Sequence, residues 1–200
     1  MDNIKTLILD MGGVIHSVDG TSPLFDIAKY YDVTPELISD DYHRFIEKIR
    51  IGSEVEPMFK FFSNEFRRPI PKNIPDIMSK GIKSAKLNHE LIKYLSDLRN
   101  QGIRLLVLSN SITFHSSWIR NVGWYDYFDH VYLSQEIVLA KPDERAFTYV
   151  IDKERLNPSQ SVFIDDLQVN IEVAKELGLK TILAITEQQI IKNLQDLLHA

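Results

Sequence analysis

Residues 7–14 have the sequence LILDMGGV, and this stretch indicates the fold more clearly than any other in the 200-residue chain. Its apolar first half predicts a short buried strand, and Asp10 follows where the chain leaves the sheet. In open α/β sheets, ligands bind beyond the carboxyl ends of the strands. Gly12 and Gly13 let the backbone approach a ligand or a metal ion closely. An aspartate at a strand end is also a common turn or capping residue, so its chemistry depends on the segments that join it.

The rest of the chain alternates between predicted strands and helices. Strands are predicted at Thr6–Leu9, Arg104–Leu108, His130–Leu133, Ser161–Ile164 and Thr181–Ile185. Helices are predicted before, between and after the last four strands, at Leu91–Asn100, Glu144–Asp152, Asn170–Leu177 and Glu187–Leu198. This alternation implies right-handed crossovers and a parallel sheet with helices on both faces. The predicted fold class is α/β.

The segment between the first two predicted strands is about 90 residues long and contains no convincing strand. A crossover needs only about a dozen residues, so most of the segment is predicted to be an inserted helical cap over the strand ends. Its predicted helices are Leu24–Tyr31, Pro35–Ile49, Glu54–Phe66 and Ile74–Lys83. We expect a cap at residues 16–87 and a core at 1–15 and 88–200. The cap's own core is expected to contain Phe59, Phe61, Phe62 and Phe66.

Two further polar segments lie at predicted strand ends or near them. Ser109 and Asn110 end the second strand and can cap the next helix, or bind a phosphate at a helix start. Lys141 precedes Pro142, which can begin a helix in its first turn. A single lysine is usually a surface residue, but among carboxylates it can neutralise Asp10 and hold a phosphate.

A pair of adjacent acids, Asp165 and Asp166, ends the fourth predicted strand, and Asn170 follows. Adjacent carboxylates repel each other, and a buried carboxylate is costly without a partner. Mg²⁺ resolves this conflict, because it binds one or two carboxylates together with water and substrate phosphate. The alternative is a solvated acidic turn.

These segments occur in one order, and the combination resembles the haloacid dehalogenase superfamily over nearly the whole chain. The matching residues are Asp10 with Gly12-Gly13-Val14, then Ser109-Asn110, then Lys141-Pro142, then Asp165-Asp166 with Asn170. Residues 132–136 and 170–174 look closest to the branch of small sugar-phosphate phosphatases. The resemblance implies a Rossmann-like, three-layer core of about five parallel strands with a helical cap inserted after the first.

The resemblance also implies a nucleophile and a metal site. Asp10 is then the nucleophile, which attacks phosphorus and forms an aspartyl-phosphate. Mg²⁺ is the implied cofactor, held by the Asp10 carboxylate, the Gly12 backbone carbonyl and Asp166. Asp165 supports this site from behind the ligands, and Asn170 orients the acidic pair or the phosphate loop.

The implied phosphate site consists of Ser109, the backbone of Asn110, and Lys141. Lys141 is also implied to be catalytic, since these groups stabilise charge as it shifts during phosphoryl transfer. The implied substrate is a small phosphorylated metabolite, with a sugar 1-phosphate suggested by the branch. The oligomeric state is left open.

One position departs from the family pattern. The family usually has a second aspartate, a general acid and base, where this chain has Gly12. Three interpretations follow: a phosphatase that tolerates glycine, a 2-haloacid dehalogenase, or a catalytically weak binding or regulatory protein. Dehalogenation uses no metal, and the acid pair of residues 165–166 argues against it. His16 can replace the missing acid, but a hinge or packing role is favoured.

Composition excludes several other classes. The chain is 44% hydrophobic and 26% charged, as in ordinary globular proteins, and no stretch approaches the roughly 18 apolar residues of a membrane span. Without cysteine there is no thiolate nucleophile. A net charge of −5 with no basic block argues against nucleic-acid binding. Because the N-terminus has no signal-peptide layout, a cytoplasmic location is expected.

Overall fold

Five parallel strands form one sheet in the computed structural model, which describes residues 4–17 and 22–199. They are β1 (Thr6–Leu9), β2 (Arg104–Ser109), β3 (His130–Leu133), β4 (Ser161–Asp165) and β5 (Lys180–Leu183). Their order across the sheet is β3-β2-β1-β4-β5, so β1 is central. The carboxyl ends of β2, β1 and β4 are therefore neighbours at one edge. The predicted α/β class with a Rossmann-like sheet is confirmed.

The helices are α1 (Pro23–Tyr31), α2 (Pro35–Ile49), α3 (Glu56–Glu65), α4 (Ile74–Lys83), α5 (His89–Asn100), α6 (Thr113–Asn121), α7 (Ser134–Ile137), α8 (Glu144–Glu154), α9 (Gln168–Glu176) and α10 (Glu187–His199). Leu7 and Leu9 of β1 pack toward α5, α6 and α10, while Ile8 packs toward α8 and α9. Both faces of the central strand are thus buried, which explains its continuous apolar run. No helix in the described part of the chain has the length and apolar character needed to cross a membrane.

Helices α1 to α4 have a hydrophobic cluster of their own. Within the predicted aromatic stripe, Phe59 and Phe62 are fully buried, and Phe61 and Phe66 pack against them. Ile112, from the loop after β2, joins this cluster, so the insertion packs directly on the sheet domain. The two chain segments that join the insertion to the sheet domain run side by side, because the Ser17 N–H donates a hydrogen bond to the Lys86 carbonyl at 2.9 Å. The boundary of the cap at residues 16–87 stays a prediction.

The starts of two helices differ from the sequence prediction. The expectation that Ser109 or Asn110 caps a helix is wrong, because α6 begins only at Thr113 and has no side-chain cap. Pro142 does not begin α8 either; Asp143 precedes that helix and accepts a hydrogen bond from the Arg145 N–H at 2.9 Å.

Element bounds also differ from the sequence prediction by a few residues. The strand β5 ends at Leu183 rather than Ile185, whose side chain is 75% exposed. The helices α6 and α7 were not predicted, because neither has a capping side chain to mark its start.

Candidate active site

Three carboxylates meet where the central strands end. Asp10 follows β1 and continues its ladder, because its N–H donates to the Ile164 carbonyl at 2.9 Å. Asp165 is the last residue of β4, and Asp166 follows it. One carboxylate oxygen from each of the three aspartates lies within 4.8 Å of the others. The fold therefore brings together acids that are more than 150 residues apart in the sequence.

A tight turn after β1 orients the first carboxylate. The Met11 N–H donates to Asp10 Oδ1 at 2.7 Å. The Met11 carbonyl in turn accepts hydrogen bonds from the N–H groups of Ile15 and His16, at 2.9 and 3.0 Å. The turn thereby holds the Asp10 side chain at the sheet edge.

Lys141 lies between two of the carboxylates. Its Nζ donates to Asp165 Oδ2 at 2.5 Å and lies 3.2 Å from Asp10 Oδ1. Only 4% of the residue is exposed, so the alternative of an ordinary surface lysine is excluded. The ammonium group also lies 5.4 Å from the centre of the Phe163 ring. Its positive charge offsets part of the charge of the acidic cluster.

The side chain of Asn110 fixes the backbone from which Lys141 projects. Asn110 Oδ1 accepts a hydrogen bond from the Lys141 N–H at 2.8 Å, and Asn110 Nδ2 donates to the Lys141 carbonyl at 2.7 Å. From the sequence, only the backbone of Asn110 was predicted to contact a ligand, the phosphate. The role of the side chain depends on a contact across 31 residues, for which the sequence carries no signal.

Asp165 is fully buried, and both of its oxygens have partners. Oδ1 accepts hydrogen bonds from the Leu167 N–H and from Asn170 Nδ2, each at 2.9 Å, while Oδ2 faces Lys141. Burial raises the pKa of Asp165, and the charge of Asp10 adds to the rise, against the opposing effect of Lys141. A solvated acidic turn is therefore excluded at Asp165, and Asn170 is placed to orient its carboxylate.

Asp166 is the member of the cluster that faces solvent. Partial burial raises the pKa of its carboxyl group, and the nearby charges of Asp10 and Asp165 raise it further. In the described part of the chain, Lys141 is the one cation in contact with these three carboxylates, so an excess of negative charge remains. A hard divalent cation fits this donor set, because Mg²⁺ takes oxygen ligands from one or two carboxylates. Asp10 and Asp166 have the oxygens with which to hold it.

Gly13 makes room for Asp166. Its φ is +75°, and a Cβ added there would lie 2.4 Å from Asp166 Oδ2. Gly13→Ala is therefore expected to displace Asp166 and to destabilise the fold by about 1–2 kcal/mol, since alanine at positive φ is strained. Urea unfolding in EDTA measures the stability loss, and the Mg²⁺ concentration for half-maximal stabilisation measures the metal effect. Gly102→Ala is the control, because its φ of +94° brings the same strain with no atom within 4 Å of the new Cβ. Equal Mg²⁺ responses in both variants would contradict this role.

Two histidines lie at the boundary between cap and sheet. His16 is 5% exposed, and its ring lies 5.5 Å from that of Trp124. Its burial lowers the pKa of His16, which favours the packing role over that of a replacement acid. His115, which sequence analysis did not select, has Nε2 3.0 Å from the Met78 carbonyl in α4. Burial lowers the pKa of His115 to about 4, so this imidazole is neutral at pH 7.

Two cavities open beside these residues. One, of about 290 Å³, is lined by residues that include Gly12, His16, Arg50, Ser109, Asn110 and His115. The other, of about 370 Å³, is lined by residues that include Glu47, Arg50, Asn110, Lys141, Leu167 and Asn170. The residues predicted to bind phosphate thus line two adjoining spaces rather than one. Arg50 was not predicted from the sequence, because nothing in the local pattern distinguishes it from the charged residues of α2, which it follows directly.

Comparison with known families identifies the class of protein. The model of the family described as haloacid dehalogenase-like hydrolase matches residues 4–178. The chain therefore belongs to the haloacid dehalogenase-like hydrolases, as the order of its motifs indicated.

One relative and two solved structures are similar to this chain over most of its length. The chain is 28% identical over 195 residues to D-ribitol-5-phosphate phosphatase from Bacteroides thetaiotaomicron, a match that covers 89% of this chain and 90% of that relative. Among solved structures, a predicted HAD-like family hydrolase from Porphyromonas gingivalis superposes with a TM-score of 0.78 at 21% identity, covering 98% of both chains. A HAD family enzyme from Bacteroides thetaiotaomicron, in complex with magnesium and inorganic phosphate, has a TM-score of 0.73 at 24% identity, covering 90% of this chain and 93% of that one.

Proposed function

We propose that this protein is a Mg²⁺-dependent phosphatase, which hydrolyses small phosphorylated metabolites through an aspartyl-phosphate intermediate. The observation that carries the proposal is the position of Asp10, at the end of the central strand, 3.2 Å from the Lys141 ammonium and beside Asp166. Further support comes from the ribitol-phosphate phosphatase among the relatives. The magnesium and phosphate bound by a similar fold point the same way.

Each residue of the cluster has a step in this mechanism. A carboxylate oxygen of Asp10 forms a bond to phosphorus as the bond to the leaving-group oxygen breaks. Water then attacks the aspartyl-phosphate, releases inorganic phosphate and restores Asp10. The oxygens of the phosphoryl group are bound by Ser109, the Asn110 backbone and Lys141. These groups stabilise the negative charge on the oxygens in the transition state.

The proposed metal site consists of the Asp10 carboxylate, the Gly12 carbonyl and Asp166. Mg²⁺ held there supplies positive charge to the phosphoryl oxygens. Asp165 is not a proposed ligand, since Lys141, Leu167 and Asn170 already occupy both of its oxygens. It holds Lys141 in position instead.

The organic part of the substrate is proposed to occupy the cavity of about 290 Å³ between the cap and the sheet. Its lining includes several serines and two neutral histidines, which suits a small hydroxylated molecule rather than a large apolar one. A sugar or sugar-alcohol phosphate fits this description, and a sugar 1-phosphate is the proposed example.

Gly12 leads to a prediction about the leaving group. Without a positioned acid, the departing oxygen carries more negative charge in the transition state, so kcat/KM is expected to depend steeply on leaving-group pKa. Aryl phosphates and anomeric sugar phosphates should be hydrolysed with a higher kcat/KM than hexose 6-phosphates. Gly12→Asp should flatten the dependence by restoring a proton donor, worth about 10²-fold for the poorest leaving groups.

The measurement is log kcat/KM against leaving-group pKa for a series of phosphate monoesters with Mg²⁺, in the wild type and in Gly12→Asp. A shallow slope in the wild type would show that another group, such as His16 or a cap residue, already supplies the proton. That result would overturn this account of Gly12 and leave the phosphatase proposal standing.

The second candidate is a catalytically weak binding or regulatory protein, which Gly12 alone favours. A screen of phosphorylated metabolites with Mg²⁺, run beside Asp10→Asn, separates the two. A wild type that hydrolyses nothing above that variant would support the binding protein. Chloride release from 2-haloacids without metal would support a dehalogenase, which the acid pair argues against.

A further inference from the structure

Arg50 projects from the cap toward both cavities of the site. It follows α2 directly, and its N–H donates to the Ile46 carbonyl at 2.8 Å, which anchors its backbone to the helix end. The residue lines the cavity that contains Ser109 and also the one that contains Lys141. Asn110 is the other residue that lines both. Arg50 therefore lies on the cap side of the point where the two cavities meet.

The guanidinium group of Arg50 has no ion pair or hydrogen bond with any residue in the described ranges 4–17 and 22–199. Two other cap arginines are paired, Arg44 with Asp41 at 2.6 Å and Arg68 with Asp32 at 3.1 Å. Arg67 also has no such partner among the described residues, but it lines neither cavity. An arginine without a partner beside a cavity retains all five of its N–H donors for a ligand.

The charge of the site also calls for a second cation. Lys141 is the one basic side chain that sequence analysis assigned to phosphate, but it already contacts Asp165 and Asp10. Three carboxylates and one ammonium carry a net charge of −2, which a bound Mg²⁺ neutralises. A phosphate monoester then brings two negative charges, and no other described side chain of the core site offsets them. The two histidines beside the cavity do not help, because burial lowers the pKa of both.

We propose that Arg50 binds the phosphoryl group of the substrate from the cap side, completing an anion site whose core side is Ser109, Asn110 and Lys141. This inference rests on the proposed phosphatase function. The planar guanidinium group can donate two parallel hydrogen bonds to phosphoryl oxygens, which a lysine cannot do. The predicted phosphate ligands of the core line the same two cavities, with Ser109 in one and Lys141 in the other. A phosphoryl group that contacts both ligands lies where the cavities meet, and Arg50 lies at that point. We therefore expect Arg50 to contact the phosphoryl group rather than the organic part of the substrate.

Inorganic phosphate tests the proposal without turnover. Isothermal titration calorimetry in the presence of Mg²⁺ measures its affinity for the wild type and for Arg50→Gln, Arg50→Lys and Lys48→Gln. Removal of a charged hydrogen-bond donor should weaken phosphate binding by about 10- to 100-fold in Arg50→Gln. Arg50→Lys should lose less phosphate affinity, because lysine keeps the positive charge and lacks only the two parallel hydrogen bonds of the guanidinium group. Lys48→Gln is the matched control: it removes one positive charge from the last turn of α2, two residues before Arg50, at an exposed side chain that lines neither cavity.

The possible results separate the inference from the function it rests on. Phosphate affinity in Arg50→Gln within about twofold of the wild type would overturn the role of Arg50, and so would an equal loss in Lys48→Gln. A raised KM for sugar phosphates with unchanged phosphate affinity would overturn it too, since Arg50 would then bind the organic part. A wild type that neither binds phosphate nor hydrolyses phosphate esters would overturn both proposals. Arg50 is exposed, so the variants are expected to keep the wild-type melting temperature, and this measurement checks that the fold is retained.

Discussion

In Asp10→Asn, kcat/KM for phosphate ester hydrolysis is expected to fall by at least about 10³-fold relative to the wild type, while the fold is retained. An amide in place of the carboxylate is a poor nucleophile and a weaker ligand for Mg²⁺, so both proposed roles of Asp10 are lost together. The change in shape is minimal, and the amide oxygen can still accept the hydrogen bond from the Met11 N–H. Lys141 keeps its contact with Asp165 at 2.5 Å.

The measurements are kcat/KM toward an aryl phosphate with Mg²⁺ and the melting temperature in EDTA. Asp97→Asn, which removes an exposed carboxylate from α5, is the control and should match the wild type in both. EDTA should abolish wild-type turnover, and Mg²⁺ should restore it. Activity of Asp10→Asn within tenfold of the wild type, or turnover that survives EDTA, would rule out the mechanism.

Lys141→Met is expected to have the largest combined effect, on activity and on stability. It removes the ammonium group from between two carboxylates and leaves Asp165, which is fully buried, without its charge partner. Breaking one side of a buried ion pair costs about 3–5 kcal/mol, because the remaining charge stays desolvated. The loss of the phosphoryl ligand should lower kcat/KM by at least about 10²-fold.

A double variant separates the two effects of Lys141→Met. Adding Asp165→Asn removes the uncompensated charge, so the double variant is expected to recover most of the lost free energy of unfolding without recovering activity. Urea unfolding in EDTA measures this recovery. Lys153→Met, on the surface of α8, is the control. A loss of stability below about 1 kcal/mol in Lys141→Met would show that the ion pair contributes little to the fold.

Much of the architecture was predictable because it is encoded locally. The apolar runs that form β1, β2 and β4 are buried on both faces of the sheet, and such strands are recognisable without knowledge of their neighbours. The long helical insertion was equally clear, because its length far exceeds that of a crossover. By contrast, α6 begins without a capping side chain, and such a start has no signature in the sequence.

The candidate site divides in the same way. Asp10, Ser109 and Asp165 lie at strand ends, and parallel strands that are neighbours bring their carboxyl ends together. Their grouping follows from strand positions along the chain once the strand order is known. The contact between the Asn110 side chain and the Lys141 backbone depends instead on how two loops after different strands meet.

The sequence by itself determined the α/β fold, the helical insertion and the chemical types of the site residues, since hydrophobic periodicity and polar strand ends are properties of short segments. Tertiary structure decided the rest: that Lys141 is buried between Asp10 and Asp165, and that Arg50 of the insertion faces the same space. The position of Lys141 follows from the contact between the Asn110 side chain and the Lys141 backbone. The position of Arg50 follows from the packing of α4 on α6 and from the hydrophobic cluster that joins cap and sheet. The physical reason is that a side chain's charge partners and its burial are set by residues distant in sequence, which pattern within one segment cannot specify.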